Sequence, residues 1–493
     1  MFEKRKERAM AVRVVTWKWD DAEQPKYPEE FEILKKAVLQ VTDIKTNRNK
    51  YYAIELHHAK SIKKDQAFRV FTHYGRTDDL ENNPDSGQKE CRYLDSKPEA
   101  EAVYDQIYKE KTSARKGYRE VALASSKIGS QKARGSSSGE VDQKTLQRIE
   151  VTESEKPEEP DVSLPRLEEK VRGLVRYLYD EAVGALTSRV QAKVTAHGIE
   201  TPLGVLTIGQ IEQGESILGD IYKQLQKKKQ TPKVADTLRD LSSAFYTVIP
   251  HRFGRSREAA EAAIIRDLNN YQAKQETLQL MKDMLRVNGE SGLLHDAKEE
   301  EEYAALGCSV EAIEAKSSEH KKIEELVLES QVDTDDIEVL QIYKVSRPEE
   351  EARYLADIGN DQLLFHGSRI QNWVGILSRG LLMPKVVVKL GVGRTDEGWL
   401  GSGMYFGNAA CTSSGYTSAG KKGTSIMAIA QVALGRVKQY EEITYGIKAP
   451  PKGYHSCHGV SGTEFEDDEF VVYDEKQQKL AYLVEFRGGR VWY

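Results

Sequence analysis

The spacing of apolar positions changes along the chain, and the changes mark its parts. Aromatic and β-branched residues crowd Tyr51-Tyr52-Ala53-Ile54-Glu55-Leu56 and Ala67-Phe68-Arg69-Val70-Phe71-Thr72, which predicts two strands. Gly75 then reads as a turn. From Ala100 to Tyr108 the apolar groups fall at helical spacing, with Val103 and Ile107 on one face and Pro98 where a helix usually begins. These elements predict a small mixed domain at 30–122 behind a leader at 1–29.

Residues 123–163 read as a flexible linker. The Ala133-Arg134-Gly135-Ser136-Ser137-Ser138-Gly139 stretch has nothing to bury, and Glu153 to Asp161 is acidic and proline-rich. Helical periodicity takes over at 164–290. Leu167, Val171, Leu174, Val175 and Leu178 form one stripe. Thr207 opens a segment with the look of a capping box. Asp236–Leu241 and Ala259–Leu285 read as further helices, punctuated by Pro202, Pro232 and Pro250. A connecting segment is expected at 291–329, with Lys298-Glu299-Glu300-Glu301-Glu302 as a solvated loop or helix edge.

The pattern changes again at 330–493. Short β-rich runs (Ile337–Val345, Gln362–Phe365, Ile426–Ala433, Phe470–Tyr473, Leu483–Phe486) alternate with glycine turns and with helical pieces at Pro348–Ala356 and Ile370–Ser378. The expected fold class is multidomain α+β: a small mixed domain, an all-helical domain and a β-rich domain.

Composition adds limits. The chain has 493 residues, so about three domains are expected at roughly 100–200 residues each. It is 39% hydrophobic and 30% charged, which suits soluble cores rather than overall disorder. No apolar run approaches the ~18 residues of a membrane span. The start, MFEKRKERAM, has no apolar stretch behind its basic residues, so a secretory leader is not expected. The four cysteines, Cys91, Cys308, Cys411 and Cys457, lie too far apart for a CxxC zinc module or a disulfide-stapled scaffold.

Charge is uneven. Residues 1–150 hold 30 lysines and arginines against 25 acids, on a chain whose net charge is −6. Within 111–134, Lys111, Arg115, Lys116, Arg119, Lys127, Lys132 and Arg134 face Glu120 alone. That footprint suits either an anionic partner or a solvated tail. Lys4-Arg5-Lys6 is a short candidate for nuclear import.

Candidate chemistry concentrates near the C-terminus. In Leu363-Leu364-Phe365-His366-Gly367-Ser368-Arg369 a strand delivers histidine into glycine. Glycine exposes a backbone N–H and C=O that could hold a planar carboxamide, or it ends a surface strand in an ordinary turn. Tyr405 in Gly401-Ser402-Gly403-Met404-Tyr405-Phe406 and Tyr416 in Ser413-Ser414-Gly415-Tyr416 could sandwich a flat ring or pack as core aromatics. In Asp467-Asp468-Glu469-Phe470 a carboxylate leads an apolar strand, at a sheet rim or in solvent.

Together these residues resemble the catalytic domain of the poly(ADP-ribose) polymerases. The likeness runs through HGSR at 366–369, GILSRGL at 375–381, GSGMYF at 401–406, SSGY at 413–416, VALGRV at 432–437 and EFVVYD at 469–474, in the family's order and spacing. The family's His-Tyr-Glu triad falls on His366, Tyr405 and Glu469. Upstream, Pro202–Leu206 and Phe245–His251 resemble its helical regulatory domain. Residues 45–120, with Tyr74-Gly75-Arg76, resemble its WGR domain with tyrosine in place of tryptophan. The family's zinc fingers and BRCT-type module have no counterpart here.

The resemblance implies roles. Gly367 would clamp the nicotinamide carboxamide of NAD+ with its backbone, helped by the Ser413 hydroxyl. Tyr416 would stack on the nicotinamide ring and Tyr405 would close its other side. His366 would bond a ribose hydroxyl, and Ser368 would lie near the adenosine ribose. Glu469 would hold the nicotinamide-ribose 2′-hydroxyl and polarise the acceptor. A glycosidic bond breaks, so a cationic sugar-like transition state steadied by a carboxylate is expected, with no metal. Gly391-Val392-Gly393 is not GxGxxG and has no strand–turn–helix around it, so it reads as a loop flanking the NAD+ site rather than a Rossmann turn.

In the N-terminal domain, Tyr74 would stack on an exposed DNA end, or pack as a strand residue. Arg76 would pair with phosphate or lock a domain interface. Lys111, Arg115, Lys116 and Arg119 would supply phosphate contacts. The leading expectation is a monomeric polymerase with no membrane association. DNA with strand breaks would activate it by loosening the helical domain, and it would modify protein acceptors, itself included. It would be nuclear in a eukaryote. Transfer of single ADP-ribose units and a non-catalytic DNA-end scaffold are the alternatives.

Overall fold

The computed structural model describes residues 14–62, 65–123, 125–133, 167–195, 198–251, 256–291, 299–331, 336–383 and 398–490. The chain divides into two compact units. One comprises 1–162, 189–193 and 199–267, the other 163–188, 194–198 and 268–493. Lys4-Arg5-Lys6, Arg134, most of the expected linker and Gly391-Val392-Gly393 lie outside the described residues. Among the described residues no helix is long and apolar enough to cross a membrane.

The first unit is built on an antiparallel six-stranded sheet. Its order is Trp17–Lys18, Gln88–Leu94, Phe68–Arg76, Arg48–His58, Glu32–Asp43 and Arg119–Glu120. Alternation along the strands feeds two cores. Leu39, Tyr52, Ile54 and Val70 meet the helix Lys97–Thr112 through Ala100, Val103 and Tyr104. Val38, Tyr51 and Ala53 point the other way, onto Leu123, Ile128 and Leu203. The helix is capped by Ser96, whose Oγ accepts from Glu99 N, and Pro98 sits in its first turn.

Three expectations for this unit are corrected. Gly75 is not a turn: it lies in the Phe68–Arg76 strand opposite Tyr51. A Cβ there would approach Gly87 Cα and the Tyr51 ring at 3.1–3.3 Å, so glycine serves close packing. The leader is folded from Val14 on, with Trp17–Lys18 as an edge strand and the Arg69 guanidinium 4.1 Å from the Tyr27 ring. The expected linker starts later than 123, because Ser125–Ser126 pairs with Gly204–Val205 and Ile128 is fully buried.

The helices Ile208–Leu225, Pro232–Val248 and Arg257–Ala262 belong to the same unit. Thr207 and Gln210 form a reciprocal capping box. The helix Pro232–Val248 is bonded to the end of the Glu32–Asp43 strand, since Thr42 N donates to Thr247 Oγ1 at 3.0 Å and Ile44 N to Ser243 Oγ at 3.2 Å. The expected helix Ala259–Leu285 is two helices, Arg257–Ala262 and Leu268–Ser291. Tertiary bonds take the backbone between them: Tyr246 Oη donates to Ala263 O and Ile265 N donates to Ser242 Oγ.

The second unit is a nine-stranded sheet. Its order is Ser309–Ala312, Glu338–Ser346, Gln478–Arg487, Ser425–Ala433, Asp361–Gly367, Met404–Gly407, Glu469–Val472, Ser456–Gly459 and Val437–Tyr440. All pairs are antiparallel except the last, which is parallel. Phe365, Met427, Ile429, Val484 and Phe486 pack against Ile323 and Val327 of the helix Ser318–Glu329. The expected connecting segment 291–329 therefore contributes both a strand and a helix to this sheet's core. The helix Leu268–Ser291 and all but the last residue of Glu169–Arg189 also belong here. The acidic run is a helix, Glu299–Ala305, rather than a solvated edge. Burial and the nearby Asp180 push Glu302 up to about 7, and Arg172 lies 3.6 Å from Glu300. The α+β class holds, but 164–290 is not all-helical: it contains the strands Gly198–Glu200 and Gly204–Val205, which pair at Glu200↔Val205.

Candidate active site

A cleft of about 600 Å³ opens in the second unit. His366, Gly367, Ser368, Tyr405, Ser413, Tyr416 and Glu469 all line it. Strand order explains the convergence. The strand Asp361–Gly367 pairs throughout with Ser425–Ala433 on one side, but with Met404–Gly407 only at Phe365↔Gly407. Past Phe365, among the described residues, that second edge of His366 and Gly367 is not taken up by strand pairing, and both residues line the cleft.

Gly367 fits a close-approach position. A Cβ on it would collide with the Ser413 carbonyl and lie 3.1 Å from Tyr416 Cβ. Ser413 belongs to the short helix Ala410–Ser414 and is buried, and Tyr416 N donates to its carbonyl at 3.2 Å. Tyr416 is 57% exposed, a large ring offered at the mouth. Partial burial, then the charges of Glu469 and Asp467, push its pKa up to about 12.

His366 Nδ1 lies 3.0 Å from Tyr405 O. A carbonyl only accepts, so this nitrogen carries the proton and Nε2 is left as an acceptor. Burial holds the imidazole below its ordinary pKa, partly opposed by that carbonyl, which favours the neutral ring. Tyr405 is fixed by backbone: its hydroxyl donates to Gly401 O at 2.8 Å and accepts from Leu400 N at 2.9 Å. Ser368 Oγ accepts from Asn372 Nδ2 at 3.1 Å.

Glu469 opens its strand between two glycines, Gly407 on one neighbour and Gly459 on the other. No side chain stands directly beside it in the sheet on either strand. Burial and the charge of Asp467 push its carboxyl up to about 7. The acids before it are both tethered. Asp467 accepts from Thr412 Oγ1 and Arg490 Nη1, each at 2.7 Å. Asp468 takes His458 Nε2 at 2.6 Å and Asn408 Nδ2 at 3.1 Å.

Sequence reasoning missed several residues here. Trp399, Asn372, Thr412 and Glu276 also line the cleft. Glu276 comes from the helix Leu268–Ser291 and holds Arg369 Nη1 at 2.7 Å. Seven residues on, the buried Asp283 holds Arg379 Nε at 2.7 Å and Nη2 at 3.1 Å. Arg369 and Arg379 stood in the HGSR and GILSRGL motifs, but their acidic partners are too distant in sequence to form a pattern.

The residues expected to touch DNA lie in the first unit and are only partly grouped. Tyr74 stacks on Tyr52, with centroids 5.1 Å apart and planes at 12°, and its hydroxyl donates to Glu90 at 2.8 Å. Lys111 Nζ sits 4.3 Å over the Tyr52 ring. Tyr74 is therefore packed on one face, and Tyr74, Tyr52 and Lys111 form one stack. Arg76 is turned to Asp78 at 2.9 Å. Lys116 lies 3.7 Å from Glu110, while Arg115 and Arg119 are exposed.

Comparison with known proteins bears on all three parts. Residues 35–124 match the WGR domain, 165–326 the poly(ADP-ribose) polymerase regulatory domain, and 317–465 the poly(ADP-ribose) polymerase catalytic domain. The catalytic match ends four residues before Glu469. The chain is 35% identical over 326 residues to protein mono-ADP-ribosyltransferase PARP4 of Homo sapiens, covering 65% of this chain and 18% of that protein. It is 26% identical over 514 residues to poly [ADP-ribose] polymerase 1 of Xenopus laevis, covering 92% of this chain and 46% of that one. It is 25% identical over 458 residues to poly [ADP-ribose] polymerase 2-A of Oryza sativa subsp. japonica, covering 89% and 63%. The chain thus spans less than half the length of the first two of these relatives. With all three domains matched in order, the chain belongs to the poly(ADP-ribose) polymerase family and carries its NAD+ ADP-ribosyltransferase catalytic domain.

Proposed function

We propose that this protein is a DNA-break-activated poly(ADP-ribose) polymerase. It transfers ADP-ribose from NAD+ to protein acceptors, itself included, and extends the chain. The observation that carries this reading is the convergence of Gly367, Ser413, Tyr405, Tyr416, His366 and Glu469 on one cleft. The residues suit the dinucleotide: the close-approach glycine with an open edge offers a planar amide its backbone, and the exposed Tyr416 offers a stacking face. NAD+ supplies an ADP-ribosyl group on a glycosidic bond to a pyridinium leaving group.

The rest is done by the chain's own groups. His366 Nε2 accepts a ribose hydroxyl, because Nδ1 is committed to Tyr405 O. Glu469, in its ionised form, holds a second hydroxyl and draws the proton of the incoming acceptor. The tethers on Asp467 and Asp468 keep the start of its strand in place.

Control is assigned to the helical segment. What supports this is that Leu268–Ser291 brings Glu276 to the cleft lining and holds it on Arg369, next to Ser368. DNA held by the first unit, through Lys111, Arg115, Lys116 and Arg119, would release that helix, and the link to DNA points to the nucleus in a eukaryote. The test is NAD+ consumption with and without nicked or blunt DNA, with labelled products sized on a gel. Equal rates with and without DNA remove the switch. No consumption removes the enzyme. A second reading, transfer of single units, is favoured by the 35% identity to a relative named a mono-ADP-ribosyltransferase. A single discrete product band would select it.

A further inference from the structure

The C-terminal segment enters the site through a turn that only glycine can make. Gly488 and Gly489 have φ of 76° and 89°. A Cβ on Gly488 would collide with Asp336 O, and one on Gly489 would lie 2.7 Å from Ser414 Oγ. Gly489 N donates to Asp336 Oδ1 at 3.1 Å. The turn reverses the chain after the strand Gln478–Arg487 and sends Arg490 inward. There the Arg490 and Asp467 side chains are only 12% and 9% exposed. Arg490 Nη1 and Thr412 Oγ1 donate to the same oxygen, Asp467 Oδ2. Arg490 N donates to Ser414 Oγ at 2.9 Å. One carboxylate thus joins the Ser413 turn, the approach to Glu469 and the C-terminal segment.

We propose that Arg490 is a positioning residue of the transferase site: by neutralising Asp467 it controls the charge of Glu469, and with Asp467 it holds the Thr412–Ser414 turn. The proposal rests on the reading of Glu469 given above. Among the described residues, the charged and titratable groups around Glu469 are few. Tyr416 faces it from beyond the Ala410–Ser414 helix, and His366 comes from the strand across the cleft. Asp468 is already bound to His458. That leaves Asp467 as the uncompensated neighbour once Arg490 is removed. A buried carboxylate stripped of its cation is costly, and its repulsion falls on Glu469 two residues away.

The experiment uses the full chain and the variants R490Q, R490K, D467N and D467N/R490Q. The first readout is the titration of Glu469 in protein labelled with carboxyl-13C glutamate, without NAD+, its signal assigned by loss in E469Q. The second is the pH dependence of kcat and KM for NAD+. R490Q should move the Glu469 midpoint up by on the order of one pH unit and lower kcat at pH 7 about fivefold, with KM changed about twofold or less. D467N should move the midpoint down. The double variant should lie between them, less impaired than R490Q, and R490K should stay near the parent. Midpoints that do not move, or that move the same way in R490Q and D467N, overturn the proposal. So does a double variant as impaired as R490Q. If R490Q fails to fold, D467N decides: a Glu469 midpoint that does not fall in D467N overturns the proposal. The titration needs no turnover, so a chain that consumed no NAD+ would refute the enzyme reading while Arg490's hold on Glu469 was still measured.

Discussion

Glu276 and Arg369 meet at 2.7 Å at the lining of the cleft, two turns of helix before Asp283 meets Arg379. The two pairs differ in burial: Glu276 and Arg369 are 34% and 53% exposed, Asp283 and Arg379 only 5% and 12%. They should therefore do different work. E276Q removes an exposed bridge worth about 0–1 kcal/mol, so DNA-free NAD+ consumption should rise by about fivefold at most, with an unchanged melting temperature. D283N leaves a buried guanidinium without its anion and should cost about 3–5 kcal/mol, seen as a lowered melting temperature. A helix that restrains access predicts that both variants raise the basal rate. If neither does, the restraint lies elsewhere.

Glu469 gives a pH signature. Its folded value near 7 lies above the ordinary carboxylate value of 4.5. Below pH 7 it is protonated and cannot take a proton, so kcat should fall about tenfold per pH unit on the acid side. The stability effect has the opposite sense. Between pH 4.5 and 7 the folded protein binds a proton that the unfolded chain does not, so this group's contribution weakens as pH rises through 7. E469Q should therefore raise the melting temperature at pH 8 and leave it near the parent's at pH 4. A stabilisation that is the same at both pH values would mean that Glu469 is not held protonated.

Gly367→Ala should separate binding from folding. Its Cβ would run into the Ser413 carbonyl and against Tyr416 Cβ. Benzamide, a nicotinamide mimic, should lose at least about 100-fold in affinity by calorimetry, roughly 2.7 kcal/mol, because the added methyl displaces the clamp itself. Benzamide binding at parental affinity would show that the amide is held elsewhere.

In the first unit, Ser130 donates to the buried Glu55 through its hydroxyl at 2.6 Å and through its amide at 3.1 and 3.2 Å. Burial pushes the Glu55 carboxyl up, but hydrogen bonds from His57 and Ser130 and the charge of Lys36 outweigh it, so the group stays below its ordinary range. Its contribution is therefore present above pH 4.5 and is lost as pH falls further. S130A should cost about 1–3 kcal/mol at pH 7. The 125–133 segment should also become easier to cut with protease. Unchanged urea midpoints and cleavage rates would show that the segment is held without Ser130.

The parts of the site that lie close together in sequence were legible there. His366 with Gly367, and Ser413 with Tyr416, sit on short elements whose strand and turn chemistry can be read locally. Ties between distant residues were not: Glu276 is 93 residues from Arg369, and Asp467 is 23 from Arg490. A lone acid carries no sign of which cation it will meet. Gly75 was misread because a glycine that lets strands approach Tyr51 looks the same as one that turns a chain. The serines at 125 and 126 read as linker because the residue that makes room for them, Gly204, comes 78 positions later.

Bare backbone on both sides of Glu469 limits how this site can be redesigned. Gly407 and Gly459 give neighbouring positions no side chain to exchange, and a Cβ on Gly459 would strike the Phe465 ring. An inhibitor chemist seeking selectivity there would find a floor of peptide groups, hard to distinguish among proteins that share it. Selectivity is better sought at the outer wall, where Trp399, Tyr416 and Glu276 stand.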